Sequence, residues 1–314
     1  MSYRGTELDN IIDAVRSGDI DQVRACIQNE CNINVVDGLG NNALMLAISE
    51  GFIDAVPTLI ASGIDIGCIN HAKETTLALA AQNGFVDVVR MLLNAGADLE
   101  QTVNGKETAL TASVYCLYDH YPVTKELLSE GADVNTAGEN ANTVLIEVAK
   151  LGFTKTLKML IKNNAEVNKV GQNGNTAFTE AVRSNQRECA KILLQHGASL
   201  NHINNSGNNA LIEAVNLCNG YIVADLIAAG IDVTLINSEG ETALTSAAKI
   251  LEIDLLDPEC IREIMHVLVN AGADPVHISS QSAHSQSWAS FFNQEVGALT
   301  ELETSHQPQL IGTI

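Results

Sequence analysis

Three glutamates recur at one position of a repeating pattern. Carboxylates arranged in a row are suited to bind a cationic ligand. They are Glu147, Glu180 and Glu213. Lys150 and Arg183 each lie three residues after a glutamate, one helical turn away. Asn216 follows the third glutamate instead, so the charge of Glu213 is less locally compensated. One interpretation is a clamp that grips a basic peptide through charge-assisted hydrogen bonds. The other is a solvated face whose ion pairs contribute only about 0.2–0.5 kcal/mol each.

A second group of candidate contact residues is aromatic. Tyr115, Tyr118 and Tyr121 fall within one short segment. Tyrosine is favoured at protein interfaces because it buries a large area at a low cost in conformational entropy. The alternative is that the three rings cover a gap between helices. A catalytic phenol would need a partner base, and the sequence pattern assigns none.

Motifs of catalysis and cofactor binding are not found in the sequence. It contains no Gly-x-Ser-x-Gly elbow, no phosphate-binding loop and no His-Glu-x-x-His pair. The seven cysteines never form a Cys-x-x-Cys pair, so we expect small apolar core residues in a reducing compartment. We therefore expect no metal, no cofactor and no enzymatic activity.

The elements that position these residues are set by an internal repeat. A Thr/Asn-x-Leu/Phe anchor recurs at spacings of 33, 33, 35, 33, 33 and 33 residues. The anchors begin at Asn42, Thr75, Thr108, Thr143, Thr176, Asn209 and Thr242. A Gly-Ala/Ile-Asp motif follows most of them by 21 residues. A constant period of this length is typical of a stacked repeat architecture.

The residues between two anchors predict a pair of short helices. Ala80 and Ala81 allow an inner helix to pack closely, and Asn83-Gly84 ends it. Apolar residues from 88 to 93 then recur at helical spacing, until Gly96 ends the second helix. One such pair cannot bury its apolar face alone, so we expect neighbouring copies to stack.

The pattern resembles the ankyrin repeat, whose consensus carries Thr-Pro-Leu-His-x-Ala near its start and Leu-Leu-x-x-Gly-Ala-Asp-Val-Asn near its end. Leu127-Leu128 followed by Gly131-Ala132-Asp133-Val134-Asn135 matches the second motif, and the resemblance covers about residues 6–275. The Pro is missing from every unit, and the His is replaced by Met, Ala, Thr or Ile. The resemblance implies an all-α ankyrin-repeat solenoid of helix-turn-helix units with hairpin loops, about eight repeats, which we expect to be individually looser than usual.

The two ends of the array depart from the repeat. We expect an N-terminal capping repeat over 1–36, seven ankyrin repeats over 37–275, a C-terminal cap helix over 276–299 and a flexible tail over 300–314. Insertions at 115–122 and 250–258 are either ligand-facing additions or tolerated surface loops.

The resemblance also implies where a partner binds, since ankyrin proteins bind targets with hairpin tips and a concave groove of inner helices. The tip residues are Glu74, Glu107, Asn142, Asn175, Asn208 and Glu241. The groove residues are Gln82, Tyr115, Lys150, Arg183 and Asn216, together with Glu147, Glu180 and Glu213.

Charge narrows the kind of partner. The formal net charge is −21, from 38 acidic against 17 basic residues, which disfavours nucleic acid and favours basic segments. No apolar run reaches the roughly 18 residues of a membrane span, and the first residues lack the apolar core of a secretory signal. We expect a cytoplasmic scaffold or adaptor. A bacterial effector in a host cytosol is one variant, and an inhibitor or regulatory subunit of an enzyme with a basic cleft is the alternative.

Overall fold

A computed structural model describes residues 10–102, 107–115, 118–138, 140–252 and 257–274. The chain divides between Glu166 and Val167 into two compact units, called here the first unit and the second unit. The predicted cap segment 276–299 and tail 300–314 lie outside the described residues, as do parts of the insertions at 115–122 and 250–258.

The described residues of the first unit form helices in consecutive pairs. These are α1 (Ile11–Arg16), α2 (Ile20–Gln28), α3 (Ala43–Ser49), α4 (Val56–Ala61) preceded by a 3-10 turn (Ile53–Ala55), α5 (Thr76–Gln82), α6 (Val86–Asn94), α7 (Ala109–Ala112), α8 (Tyr121–Ser129), α9 (Val144–Leu151) and α10 (Thr154–Lys162). Each odd-numbered helix packs against the even-numbered helix that follows it, and the outer helices α4, α6, α8 and α10 pack in succession.

The described residues of the second unit repeat this arrangement. The helices are α11 (Ala177–Arg183), α12 (Arg187–Gln195), α13 (Ala210–Asn216), α14 (Gly220–Ala228), α15 (Ala243–Glu252) and α16 (Pro258–Asn270). The inner helices α11, α13 and α15 pack in succession. The described part of the chain contains only isolated β-bridges and no strand, so the predicted all-α class is confirmed.

The repeated anchor begins each inner helix from α3 to α15. Its first residue is the N-cap, and its side-chain oxygen accepts the backbone N–H three residues later, as in Met45 N to Asn42 Oδ1 at 3.0 Å. Its third residue points into the core. This core column is fully buried or nearly so, and comprises Leu44, Leu77, Leu110, Leu145, Phe178, Leu211 and Leu244.

Asparagine anchors make one bond that threonine anchors cannot make. Asn209 caps α13 through Oδ1 and donates Nδ2 to the carbonyl of Asp232 at 3.0 Å, in the hairpin that follows. Replacement by alanine should lower the free energy of unfolding by about 1–2 kcal/mol, because the cap and the cross-hairpin bond are both lost. Asn209→Thr keeps the cap and should cost less in a urea titration. Equal losses would mean that the cap oxygen contributes nothing.

Hairpins bind one another through the backbone. The N–H of His71 donates to the carbonyl of Leu39 at 2.9 Å, and the N–H of Asn205 donates to that of Asn173 at 3.0 Å. Gly40 permits the first contact, since its φ is +80° and a Cβ there would come within 2.8 Å of the His71 ring. The hairpins are therefore fixed in register with their neighbours within each unit.

Asparagines after the Gly-Ala-Asp motif reinforce this register. Oδ1 of Asn135 accepts the N–H of Glu166, and Oδ1 of Asn168 accepts the N–H of Ser199, both at 2.8 Å. Asn164 takes the left-handed conformation, with φ +65°, at the end of α10, where glycine ends the other outer helices from α6 to α16. The repeat thus tolerates a departure from its consensus without losing the turn.

Ion pairs join neighbouring outer helices. Arg90 of α6 holds Glu126 of α8 at 2.7 Å, and Arg187 of α12 holds Asp225 of α14, which also lies 3.4 Å from Lys191. The hydrogen bond from Arg187 lowers the pKa of Asp225, and the charges of Arg187 and Lys191 add to this effect against the opposing effect of burial.

This lowered pKa gives the second unit a pH-dependent stability. A carboxyl with a depressed pKa stabilises the fold above its unfolded pKa, about 3.9, and this contribution is lost as the pH falls through the lower folded value. Asp225→Asn should therefore lower the urea midpoint at neutral pH, and the difference from the natural chain should shrink once the pH falls below about 4. An undiminished difference at the lower pH would contradict this assignment.

The cysteines depart in part from expectation. Cys26 and Cys31, at the end of α2, are joined in a disulfide with their Cα atoms 5.6 Å apart, so the prediction of reduced thiols is wrong for this pair. Cys68, Cys189, Cys218 and Cys260 are free, and only Cys189 among these four is buried. Cys116 lies outside the described residues.

Candidate partner-binding face

Hairpin tips and inner helices form one cleft in each unit. The first cleft has a volume of about 140 Å³ and brings together the predicted residues Glu74, Gln82 and Glu107. The second cleft has a volume of about 280 Å³ and brings together Asn208, Asn216 and Glu241. Within each unit the repeat thus converts a sequence column into a surface.

The first cleft has an apolar floor and a charged rim of two glutamates and Lys73. Leu79 of α5 and Ala112 of α7 are buried in its floor, and Gln82 at the end of α5 is exposed. Glu74 is fixed at the rim, because its backbone N–H and its Oε2 both bond to the Asn70 side chain, at 2.9 and 2.7 Å. Glu107 is exposed on the same rim.

The three tyrosines differ in their surroundings. Tyr115 lies against Gly138 of the following hairpin, where an added Cβ would overlap its phenol oxygen. Tyr118 is 74% exposed, and Tyr121 begins the outer helix α8. Tyr115 therefore contacts the hairpin that follows its repeat.

Glu147 is a buried hydrogen-bond acceptor of the first unit. Its side chain is only 5% exposed, and Oε1 accepts Nδ2 of the tip residue Asn142 at 2.6 Å. Lys150, half exposed, lies 3.6 Å from its second oxygen. Glu147 thus ties the start of α9 to its own hairpin.

Glu180 and Glu213 belong to one polar network in the second unit. Asn175 donates to Glu180 at 2.7 Å, and Asn208 donates to Glu213 at 3.1 Å. Arg183 lies between the two carboxylates, 3.0 Å from Glu180 and 3.3 Å from Glu213. The guanidinium therefore links α11 to α13 as well as bonding within its own helix.

This geometry changes the interpretation of the glutamates. Asn216 gives Glu213 no cation from its own helix, and Arg183 of the preceding repeat supplies one. The description as a solvated face is wrong for Glu147 and Glu180, which are buried. A buried carboxylate is stable only when it is paired and hydrogen-bonded, and both are.

In the last described repeat the carboxylate stands at the hairpin tip, and the residues that donate to it stand on the inner helix. Glu241 stands at the tip, and Ser246, five residues later, donates to it at 3.3 Å. Lys249 binds the same carboxylate at 2.7 Å. The contact between tip and helix is thus kept with the acceptor on the opposite side.

Sequence reasoning missed a column of asparagines that supports the tips. Nδ2 of Asn204 donates to Asn175 at 3.1 Å and to Glu213 at 2.8 Å, while its Oδ1 accepts the N–H of Asn208 at 3.0 Å. Asn70 and Asn237 occupy the equivalent position, four residues before a tip. The signal was present in the sequence, since Asn70, Asn204 and Asn237 all keep this offset from the tip.

A different column remains accessible in each unit. It lies seven residues after each anchor, at the end of the inner helix. Its exposed members are Ser49, Gln82, Lys150, Arg183, Asn216 and Lys249. These side chains stand beside the fixed tips, where a partner can reach them.

The described cysteines and metal-ligating groups offer little chemistry. Burial raises the pKa of Cys189 to about 11, and burial with a hydrogen bond to Cys260 raises the pKa of Cys218 to about 12. Such thiols stay protonated near neutral pH and are poor nucleophiles. Among the described residues, no three His, Cys, Asp or Glu side chains are grouped to hold a metal ion.

The fold and this face define a repeat protein of stacked helix pairs. A family model described as "Ankyrin repeats (3 copies)" matches residues 11–103, 47–137, 110–204 and 144–237. These matches span more than half of the chain, which therefore belongs to the ankyrin-repeat family. Ankyrin repeats are generally protein–protein interaction modules, and proteins of this family are typically scaffolds without catalytic activity.

Two further findings complete the comparison. No curated protein matches the chain. None of the helices that the structure describes is both long enough and apolar enough to cross a membrane.

Proposed function

We propose that this chain is a non-catalytic adaptor that captures a partner protein on the hairpin and inner-helix faces. The observation that carries the proposal is that each face has two sets of polar residues, one buried and one exposed. Buried carboxylates and amides fix the tips, while Gln82, Lys150, Arg183, Asn216 and Lys249 remain exposed beside them. A surface held in place by a polar network loses little entropy when it binds.

The size of the clefts supports a polypeptide ligand. Small-molecule sites usually enclose about 300–1,000 Å³. The two clefts, of about 140 and 280 Å³, are smaller than that range and are open to solvent. Each is suited to one or two side chains of a larger ligand.

The two clefts differ in the chemistry they offer. The first cleft combines an apolar floor with Glu74 and Glu107 and suits an apolar side chain beside a Lys or Arg. The second cleft is lined by amides and hydroxyls, with Lys249 bound to Glu241, and suits polar groups. We therefore assign the basic segment of the partner to the first cleft and not to the buried glutamates.

Site-specific photo-crosslinking tests this proposal with an unidentified partner. A photoreactive amino acid is placed at Gln82 or Asn216 on the inner face, and at Ala61 or Ala224 as exposed controls on outer helices. Crosslinks to one polypeptide from cytosolic extract, formed from the inner positions only, would support the proposal. Crosslinks that form only from Ala61 and Ala224 would refute it.

The alternative role, inhibition of an enzyme with a basic cleft, rests on the net charge of −21. It predicts that the crosslinked partner is an enzyme that loses activity on binding. The narrower proposal of a bacterial effector in a host cytosol rests on the missing Pro and His of the consensus. A reporter fusion that fails to enter the host cytosol would contradict it.

A further inference from the structure

A groove between two outer helices of the first unit concentrates positive charge. It lies between α8 and α10 and has a volume of about 440 Å³. Lys125 lines it from α8, and Lys155, Lys158 and Lys162 line it from α10. Four of the 17 cationic residues of an acidic chain thus border this one feature, called here the basic groove.

The four lysines lack an acidic partner among the described residues, as Lys73 elsewhere in the chain also does. All are exposed, and none has a carboxylate of the described residues within 4.0 Å. Nine other described cations do have such a partner: Arg16, Arg24, Arg90, Lys150, Arg183, Arg187, Lys191, Lys249 and Arg262. Carboxylates outnumber cations 38 to 17, so most cations find one, and this cluster instead keeps four like charges together.

The spacing of the lysines fits a short linear ligand. Lys155, Lys158 and Lys162 follow the i, i+3, i+7 pattern and so lie along one face of α10 over about 10 Å. Lys125 faces them from α8 across the groove. A row of carboxylates entering the groove would meet ammonium groups on both sides.

The floor of the groove is apolar. Tyr121 and Leu128 of α8 and Met159 of α10 are partly exposed within it. A free phosphate or another small anion would leave this surface uncovered. A peptide that carries an apolar side chain between carboxylates would cover it and gain from its burial.

We propose that the basic groove binds an acidic segment of a partner protein, with carboxylates on the lysines and an apolar side chain on Tyr121, Leu128 and Met159. The surface is separate from the inner face and does not depend on the function proposed for it. A narrow acidic peptide can bind the basic groove of this acidic protein, because charges are screened beyond a Debye length of about 8 Å at physiological ionic strength. Acidic residues farther from the groove therefore repel the peptide little. An anionic membrane would meet a wider and more acidic area.

Peptide binding to the full-length chain tests the proposal. The probe is a fluorescent peptide of repeated Glu-Glu-Leu, with Glu-Glu-Ala as its weaker comparison, measured by anisotropy over a range of salt. Joint replacement of Lys155, Lys158 and Lys162 by glutamine should weaken binding about tenfold at low salt, since individual exposed ion pairs are weak. Met159→Ala should remove most of the preference for leucine over alanine.

The control variant changes the charge equally elsewhere. It replaces Arg24, Lys169 and Lys191 by glutamine and should leave the affinity within about twofold. Thermal melts should show both triple variants folded, since every substituted side chain is exposed. Equal losses in the two variants, or no binding of the peptide at millimolar concentration, would overturn the proposal. So would vesicles of phosphatidylserine and phosphatidylcholine that bind more tightly than the peptide through the same lysines.

Discussion

Replacement of Phe178 by alanine should lower the free energy of unfolding by about 3–5 kcal/mol. Phe178 is among the largest fully buried side chains of the chain and lies in the column where the other repeats place leucine. Truncation to alanine leaves a cavity where α11 packs against α12 and α13. The free-energy cost of this cavity adds to the lost transfer free energy of the side chain. In a repeat protein the loss also weakens the contacts between neighbouring repeats. Urea titration followed by circular dichroism measures it.

Two matched variants serve as controls for this prediction. Phe178→Leu restores the residue type of the column and should cost less than about 1.5 kcal/mol. Ile203→Ala removes an apolar side chain that is 47% exposed and should change stability little. A similar loss in all three variants would show that the column is not the core of the repeat.

Replacement of Glu180 by alanine should lower the free energy of unfolding by about 1–3 kcal/mol, the next largest effect. Asn175 is 1% exposed and would lose the acceptor of its Nδ2. Arg183 would keep only Glu213. A carboxylate on a solvated face would instead be lost almost without effect.

Glutamine at the same position separates the hydrogen bond from the charge. Glu180→Gln keeps an acceptor for Asn175 and should cost less than alanine, while Glu188→Ala, at an exposed position of α12, should stay within about 0.5 kcal/mol. If Glu180→Ala were as harmless as Glu188→Ala, the tip would not depend on this carboxylate.

Much of the fold follows from the sequence because its determinants are local. The anchors predict where inner helices begin, since a Thr or Asn N-cap works through a backbone N–H only three residues away. The third residue of each anchor, leucine or phenylalanine, predicts the core column, because its position relative to the N-cap is fixed. Asp257 followed by Pro258 likewise marks the start of α16, as expected of an N-cap and a first-turn proline.

The site is less predictable because its contacts join different repeats. The i, i+3 rule pairs Arg183 with Glu180, but its second contact is with Glu213, which stacking alone brings within reach. Burial of Glu147 depends on the hairpin folding back over α9, which no local pattern shows. The sequence places Lys155, Lys158 and Lys162 on one helix face, but the basic groove also requires α8 to pack beside α10, which brings Lys125 to them.

The central claim is that a partner binds the exposed column on the inner helices of each unit. The affinity of the crosslinked partner for four single variants tests this claim. Gln82→Arg and Asn216→Arg place bulk beside the first and second clefts, whereas Ala61→Arg and Ala224→Arg place the same residue on outer helices. Titration calorimetry should show at least about tenfold weaker binding for the inner pair and unchanged binding for the outer pair. Unchanged binding in the inner pair with a loss in the outer pair would contradict the account.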